Sequence, residues 1–152
     1  MTQTIYKSNR AEYPSLHPAV TASQVGVTFT DKAEASVDTS LAANDLVLMH
    51  KLPAFHEVVD FSIETTELDD DTTITLDVGF VNDAGTDLIA NNRLLDADTI
   101  AQAGGFKRLD ETAGLWRAAE AKDRWIAVKV RAAAGTEKAG TIKSVLQYSA
   151  KQ

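Results

Sequence analysis

Three consecutive carboxylates, Asp69, Asp70 and Asp71, stand directly before the alternating segment Thr73-Ile-Thr-Leu-Asp-Val78. A carboxylate-rich turn suits calcium, which takes oxygen ligands in a flexible geometry. The segment lacks the central glycine and the distal bidentate glutamate of a calcium loop, so it reads as a solvated turn that starts a strand. The three histidines are His17, His50 and His56. The last two lie six residues apart with Pro53 between them, which matches no common ligand pattern, and all are expected as partly exposed imidazoles at strand ends. No metal site and no cofactor is expected. No Gly-x-Ser-x-Gly elbow presents a serine nucleophile, and Gly104-Gly105 and Gly135 fall in no phosphate-cradling pattern. Carboxylates are numerous, but sequence alone cannot place two of them across a cleft. The chain is therefore not read as an enzyme. Trp116 and Trp125 could offer flat faces to carbohydrate rings, but the reading taken for both is core packing or a subunit contact.

The bulk composition sets the frame for these residues. With 152 residues, 44% of them hydrophobic and 24% charged, the chain is long enough to bury a core without staples. Cysteine is absent, which removes disulfides and thiolate chemistry together. A formal charge of −7 argues against a nucleic-acid surface, which needs clustered Lys and Arg; the acidity reads as a solvated surface. The first thirty residues do not resemble a signal peptide, and no apolar run is long enough for a membrane span. The expectation is a protein made and used without export, with neither nucleic acid nor membrane as partner.

Residues 1–19 hold Pro14 and Pro18, two of the three prolines, and show no regular period. They read as an extended N-terminal arm, with Tyr6, Tyr13 and Leu16 as docking residues because a purely solvated tail rarely carries aromatics. Residues 20–152 read as one β-domain. Val25, Val27 and Phe29 alternate with Gly26 and Thr28, and Leu46–Leu52 forms a second apolar segment that Pro53 ends. In the segment 55–64, Val59, Phe61 and Ile63 are expected on one face and Asp60, Ser62 and Glu64 on the other. Ile74, Leu76 and Val78 face a core, with Thr73, Thr75 and Asp77 on a wet face. Asn82-Asp-Ala-Gly85 supplies a turn. Residues 92–103 form the one expected helix, capped by Asp96 or Asp98 and stopped by Gly104-Gly105. Trp125–Val130 and Thr141–Tyr148 alternate again around a glycine-containing hairpin loop. Six to eight short strands joined by turns predict an all-β fold, an antiparallel, jelly-roll-like β-sandwich.

Four segments occur in a telling order: Leu48-Met-His-Lys-Leu-Pro53, Thr75-Leu-Asp-Val-Gly79, the turn from Ala103 to Asp110, and Ala139-Gly-Thr-Ile-Lys143. Across residues 45–148 this order resembles small tailed-bacteriophage proteins encoded near the major capsid protein, the head decoration or cement proteins. The resemblance implies a β-sandwich that sits on the outer surface of the virion head, binds the major capsid protein and ties neighbouring capsomers together. It implies a homo-oligomer, with a trimer favoured, synthesis in the host cytoplasm, and no catalytic residues. Phe55, Trp116, Trp125 and Tyr148 are the candidate partner-binding anchors of the domain, since aromatics dominate interface energetics. The alternative function is a carbohydrate- or receptor-binding sandwich of a virion.

Overall fold

The computed structural model of the protein describes residues 3–8, 27–38 and 41–151. Tyr13, Leu16 and His17 of the expected arm lie outside them, as do Val25 and Gly26. Among the described residues the chain forms strands β1 (Ile5–Lys7), β2 (Thr28–Val37), β3 (Leu46–Leu52), β4 (His56–Thr65), β5 (Thr75–Val81) and β6 (Leu88–Asp98). A single helical turn, α1 (Ile100–Ala103), precedes β7 (Gly105–Arg108), β8 (Arg124–Ala132) and β9 (Gly140–Ala150).

Period-two alternation builds these strands. On β2 the small residues Ala33, Ala35 and Val37 are buried while Lys32, Glu34 and Ser36 are exposed. On β9 Ile142, Leu146 and Tyr148 point inward. Two sheets result, one in the order β1-β3-β8-β5-β6 and one in the order β2-β9-β4-β7. Every connection from β2 to β9 crosses between the sheets except β5 to β6, which makes the sandwich jelly-roll-like. The strand pairs are antiparallel apart from β1, which runs parallel to β3. Phe61, Ile63, Ile74, Leu76, Val78, Phe80, Ile126, Ile142 and Leu146 fill the space between the sheets at 1% exposure or less. A second cluster of Leu46, Val81, Leu88 and Ala127, flanked by Leu48 and Trp125, is buried as well. Because Ile126 and Val128 face the main core, Trp125 and Ala127 belong to the opposite, outer face of the five-stranded sheet.

Four expectations are corrected. The helix over 92–103 shrinks to α1, and most of that span is strand β6. The cause is bulging: Val78 pairs with Leu95 but Gly79 with Arg93, so β6 carries an extra residue there, and another between Leu95 and Asp98. Leu94 and Leu95 are consequently both buried, which imitates helical spacing. Asp98 does serve the helical turn, accepting from the Ile100 N–H at 2.9 Å. A bulge in β4, where Val58 pairs with Tyr148 and Asp60 with Gln147, leaves Val59 unmatched; Val58 replaces it in the core and Val59 is 45% exposed. The loop 133–139 is no hairpin, since β8 and β9 lie in different sheets. Finally, Asp77 is not wet, although Thr73 on the same face is exposed: Asp77 is 2% exposed, 3.0 Å from Arg93 Nη1, and accepts from the Ala97 N–H at 2.7 Å.

Candidate interaction surface

The acidic turn is an internal clamp. The Asp69 carboxylate, fully buried, accepts from the N–H groups of Asp71 (2.9 Å), Thr73 (2.6 Å), Ile74 (2.7 Å) and Thr136 (3.2 Å), and from the Thr73 hydroxyl at 2.9 Å. Burial opposes its ionisation, but the four backbone donors outweigh burial and hold the carboxyl well below the usual carboxylate range. Asp70 pairs with Lys138 at 2.5 Å, and Asp71 accepts from the Thr136 hydroxyl at 2.6 Å. Lys138 also bonds Glu67, and these two bonds, that to Asp70 first, raise its pKa. The three carboxylates thus fasten the start of β5 to the β8–β9 crossover. Among the described residues no group of His, Cys, Asp and Glu is placed to hold a metal ion.

His50 and His56 are both fully buried, contrary to the expectation of partly exposed imidazoles. Asp31, His50 and Ser144 form a relay: His50 Nδ1 lies 2.9 Å from Asp31 Oδ2, and His50 Nε2 lies 2.8 Å from Ser144 Oγ. An acid, a base and a hydroxyl in this order are the parts of a nucleophile-activating triad. Here all three sit in the core at 3% exposure or less, and they cross-tie β2 and β9 of one sheet to β3 of the other. His56 packs edge-on to Tyr148, with centroids 5.2 Å apart, while Phe29 stacks on Tyr148 at 5.5 Å.

The predicted anchors separate into groups. Tyr148 is 4% exposed and belongs to the core. Tyr6 packs partly buried against that core on β1, which Ser8 secures by donating its N–H to Leu48 O at 2.6 Å. Trp125 is half-buried in the outer cluster, with Lys51 Nζ 5.9 Å from its ring centroid. Phe55 and Trp116 project into solvent, 58% and 85% exposed. Phe55 also has φ of 61°, a left-handed backbone that is a genuine outlier for a bulky side chain. Its main chain is held on both sides, the Phe55 N–H donating to Glu120 O at 2.7 Å and the Lys151 N–H to Phe55 O at 2.8 Å.

Trp116 stands on loop 109–123, which is pinned along its length. Gly114 N–H donates to Arg93 O at 3.0 Å, Arg117 bonds Asn92 and Glu120, and Arg124 donates to Ala118 O at 3.0 Å and to His56 O. Burial lowers the Arg124 pKa, and its guanidinium lies 5.1 Å from the Phe80 ring centroid. The exposed apolar residues that sequence reading missed include Val59, shifted outward by its bulge, and Phe106, 67% exposed on β7. Phe106 flanks a depression of about 360 Å³ on the four-stranded sheet, among Lys32, Glu34, Glu64 and Lys143.

No family model matches the chain, and no curated protein matches it. Among solved structures it is similar to a chain of the cyanophage Pam1 capsid asymmetric unit, with a TM-score of 0.66, 20% identity, and 89% of this chain and 91% of that one covered. This is a likeness of fold. It is also similar to a chain from the capsid of Ralstonia phage GP4, with a TM-score of 0.84, 25% identity, and coverage of 98% of this chain and 99% of that one. The sandwich is therefore shared, essentially from end to end, with a chain of a phage capsid.

Proposed function

We propose that this protein is a virion structural protein, a decoration or cement protein that binds the outer surface of a phage head and stabilises the contacts between capsomers. The observation that carries the reading is the end-to-end likeness to a chain from the capsid of Ralstonia phage GP4. The functional unit on this reading is a homo-oligomer, taken as a trimer, whose partner is the major capsid protein. Several modest contacts made together hold strongly, because each later contact forms at high effective concentration. Phe55 is the proposed anchor of the domain. A bulky residue in the left-handed region costs on the order of 1–3 kcal/mol, and more than half of Phe55 stays exposed, so both features point to a partner that covers the ring. Tyr13 and Leu16 are proposed to extend the contact from the 1–19 arm.

The test is co-sedimentation with heads lacking the protein, using wild type, Phe55→Ala and Phe55→Gly. Wild type should bind and raise the temperature at which the heads rupture. Both variants should bind at least about tenfold more weakly, the loss of one buried aromatic contact of roughly 1.4 kcal/mol or more. Phe55→Gly should melt no lower than wild type, because glycine relieves the left-handed strain. Failure of folded wild-type protein to sediment with heads would overturn the reading; unchanged binding by both variants would remove Phe55 from it.

A further inference from the structure

We propose that the outer edge of β2 pairs with the same edge of a second copy of this chain, antiparallel about a two-fold axis at Ala33, joining two four-stranded sheets into one continuous sheet. Among the described residues the two sheets end in four strands, β1, β6, β2 and β7. Three of these edges are blunted in ways that keep strands from pairing: β1 is three residues long, β7 is four, and β6 is interrupted by bulges. Strand β2 is different. It runs for ten residues, Thr28–Val37, in unbroken register with β9, from Thr28 opposite Ser149 to Val37 opposite Gly140, and it holds no proline. A strand of that length without a bulge presents a continuous row of backbone donors and acceptors on the side away from β9, which is a template for another strand. Among the described residues no strand pairs with that side.

The side chains of β2 select the occupant, because they are self-complementary about Ala33. With Ala33 opposite its own copy, Lys32 faces the partner's Glu34 and Glu34 faces the partner's Lys32. Thr30 then meets the partner's Ser36, a pair of hydroxyls, and Phe29 meets the partner's Val37 on the inner face. Thr30, Lys32, Glu34 and Ser36 are all exposed on the outer face. Directly opposite residues stand close together, so unlike charges there attract and like charges repel. A slide of two residues sets Lys32 against Lys32 or Glu34 against Glu34, and a slide of one sets outer side chains against inner ones. Charge therefore favours the register centred on Ala33.

The same alternation already runs across the sheet. Phe106, Glu64, Lys143 and Glu34 stand in one row over β7, β4, β9 and β2. The charges in that row read Glu64, Lys143, Glu34, and the partner's Lys32 is the next in the order. A lysine on a strand edge ordinarily repels another strand; here each lysine meets a carboxylate and fixes the register instead. The contact is isologous and closes on itself, so it makes pairs and not filaments. It stands without the capsid reading, and in a trimer it joins subunits of adjacent trimers.

The experiment is disulfide trapping on the full chain, which has no cysteine of its own. Thr30→Cys and Ser36→Cys are prepared separately, then oxidised mildly, each alone and mixed. The mixture should give at least about tenfold more covalent dimer than either variant alone, because two copies of position 30 lie roughly 20 Å apart in this register, six residues along the strand. Sedimentation velocity gives a second readout. Wild type should associate into species with an even number of protomers, and Lys32→Glu and Glu34→Lys should each weaken this at least about tenfold, since both symmetric pairs turn repulsive. Mixing those two variants should restore it. Lys32 lies opposite Val145 on β9, so Lys32→Glu meets no charge directly across its own sheet, and melting curves establish that each variant is folded. Equal trapping in all three samples, no trapping in the mixture, or association unchanged by Lys32→Glu would overturn the proposal. Heads take no part in the experiment, so its outcome is independent of attachment to a capsid.

Discussion

Asp69 shows how much one side chain organises. Its carboxylate collects four backbone N–H groups, so removing it strands the buried Ile74 donor and three part-buried ones at once. Because its folded pKa lies below the ordinary value of 3.8, the stability it contributes is fully present above that value. It is lost as pH falls towards the folded pKa. The melting temperature of the wild type should therefore hold above about pH 5 and fall between about pH 4 and pH 2. Asp69→Asn should melt several degrees lower at neutral pH and show a shallower acid decline; a variant with an unchanged pH profile would refute the clamp. From sequence the carboxylate turn was visible, but a clamp depends on donors such as Thr136, 67 residues away. The same holds for His50, whose partners Asp31 and Ser144 come from two other strands.

At the scale of elements, alternation was legible wherever the strand was regular. Leu46–Leu52 is found with the bounds read from the sequence, and Trp125–Val130 and Thr141–Tyr148 fall within β8 and β9. Irregular strands were not legible, because a bulge changes the period. Two bulges in β6 made Leu94 and Leu95 look helical, and one in β4 turned Val59 outward. Beyond Phe29, strand β2 was not legible because its inward residues are small, Ala33 and Ala35 among charges. Gly104-Gly105 was read as a helix stop, and Gly104 does cap α1, with φ of 72°. A Cβ there would stand 2.9 Å from Glu67 N and 3.0 Å from Thr65 O. Gly104→Ala should therefore cost about 1–3 kcal/mol, combining left-handed strain with a backbone clash. Urea denaturation checks this, and a loss below about 0.5 kcal/mol, within the range of an ordinary surface substitution, would show that the α1–β7 junction is less constrained than its geometry indicates.

For the molecule as a whole, the fold class followed from counting alternating segments without interleaved helices, and the sandwich bears it out. The order of strands within each sheet was not accessible, since it depends on which long-range pairings best bury both inner faces. Candidate anchors were chosen by residue type, and only burial separates them: Tyr148 serves the core, Trp125 an outer cluster, and Phe55 and Trp116 face solvent. Phe61, Phe80 and Tyr148 are buried, whereas Phe106 is exposed on β7. The molecule displays Phe55 on a strained turn and Trp116 on a tied loop.

Attachment to the outside of a phage head is decided by electron cryo-microscopy of heads prepared with and without the protein. The proposed role requires added density on the outer surface, fitted by the two-sheet sandwich, at positions bridging neighbouring capsomers and with the Phe55 turn directed at the shell. Heads that look the same in both preparations, or density confined to the interior, would contradict it.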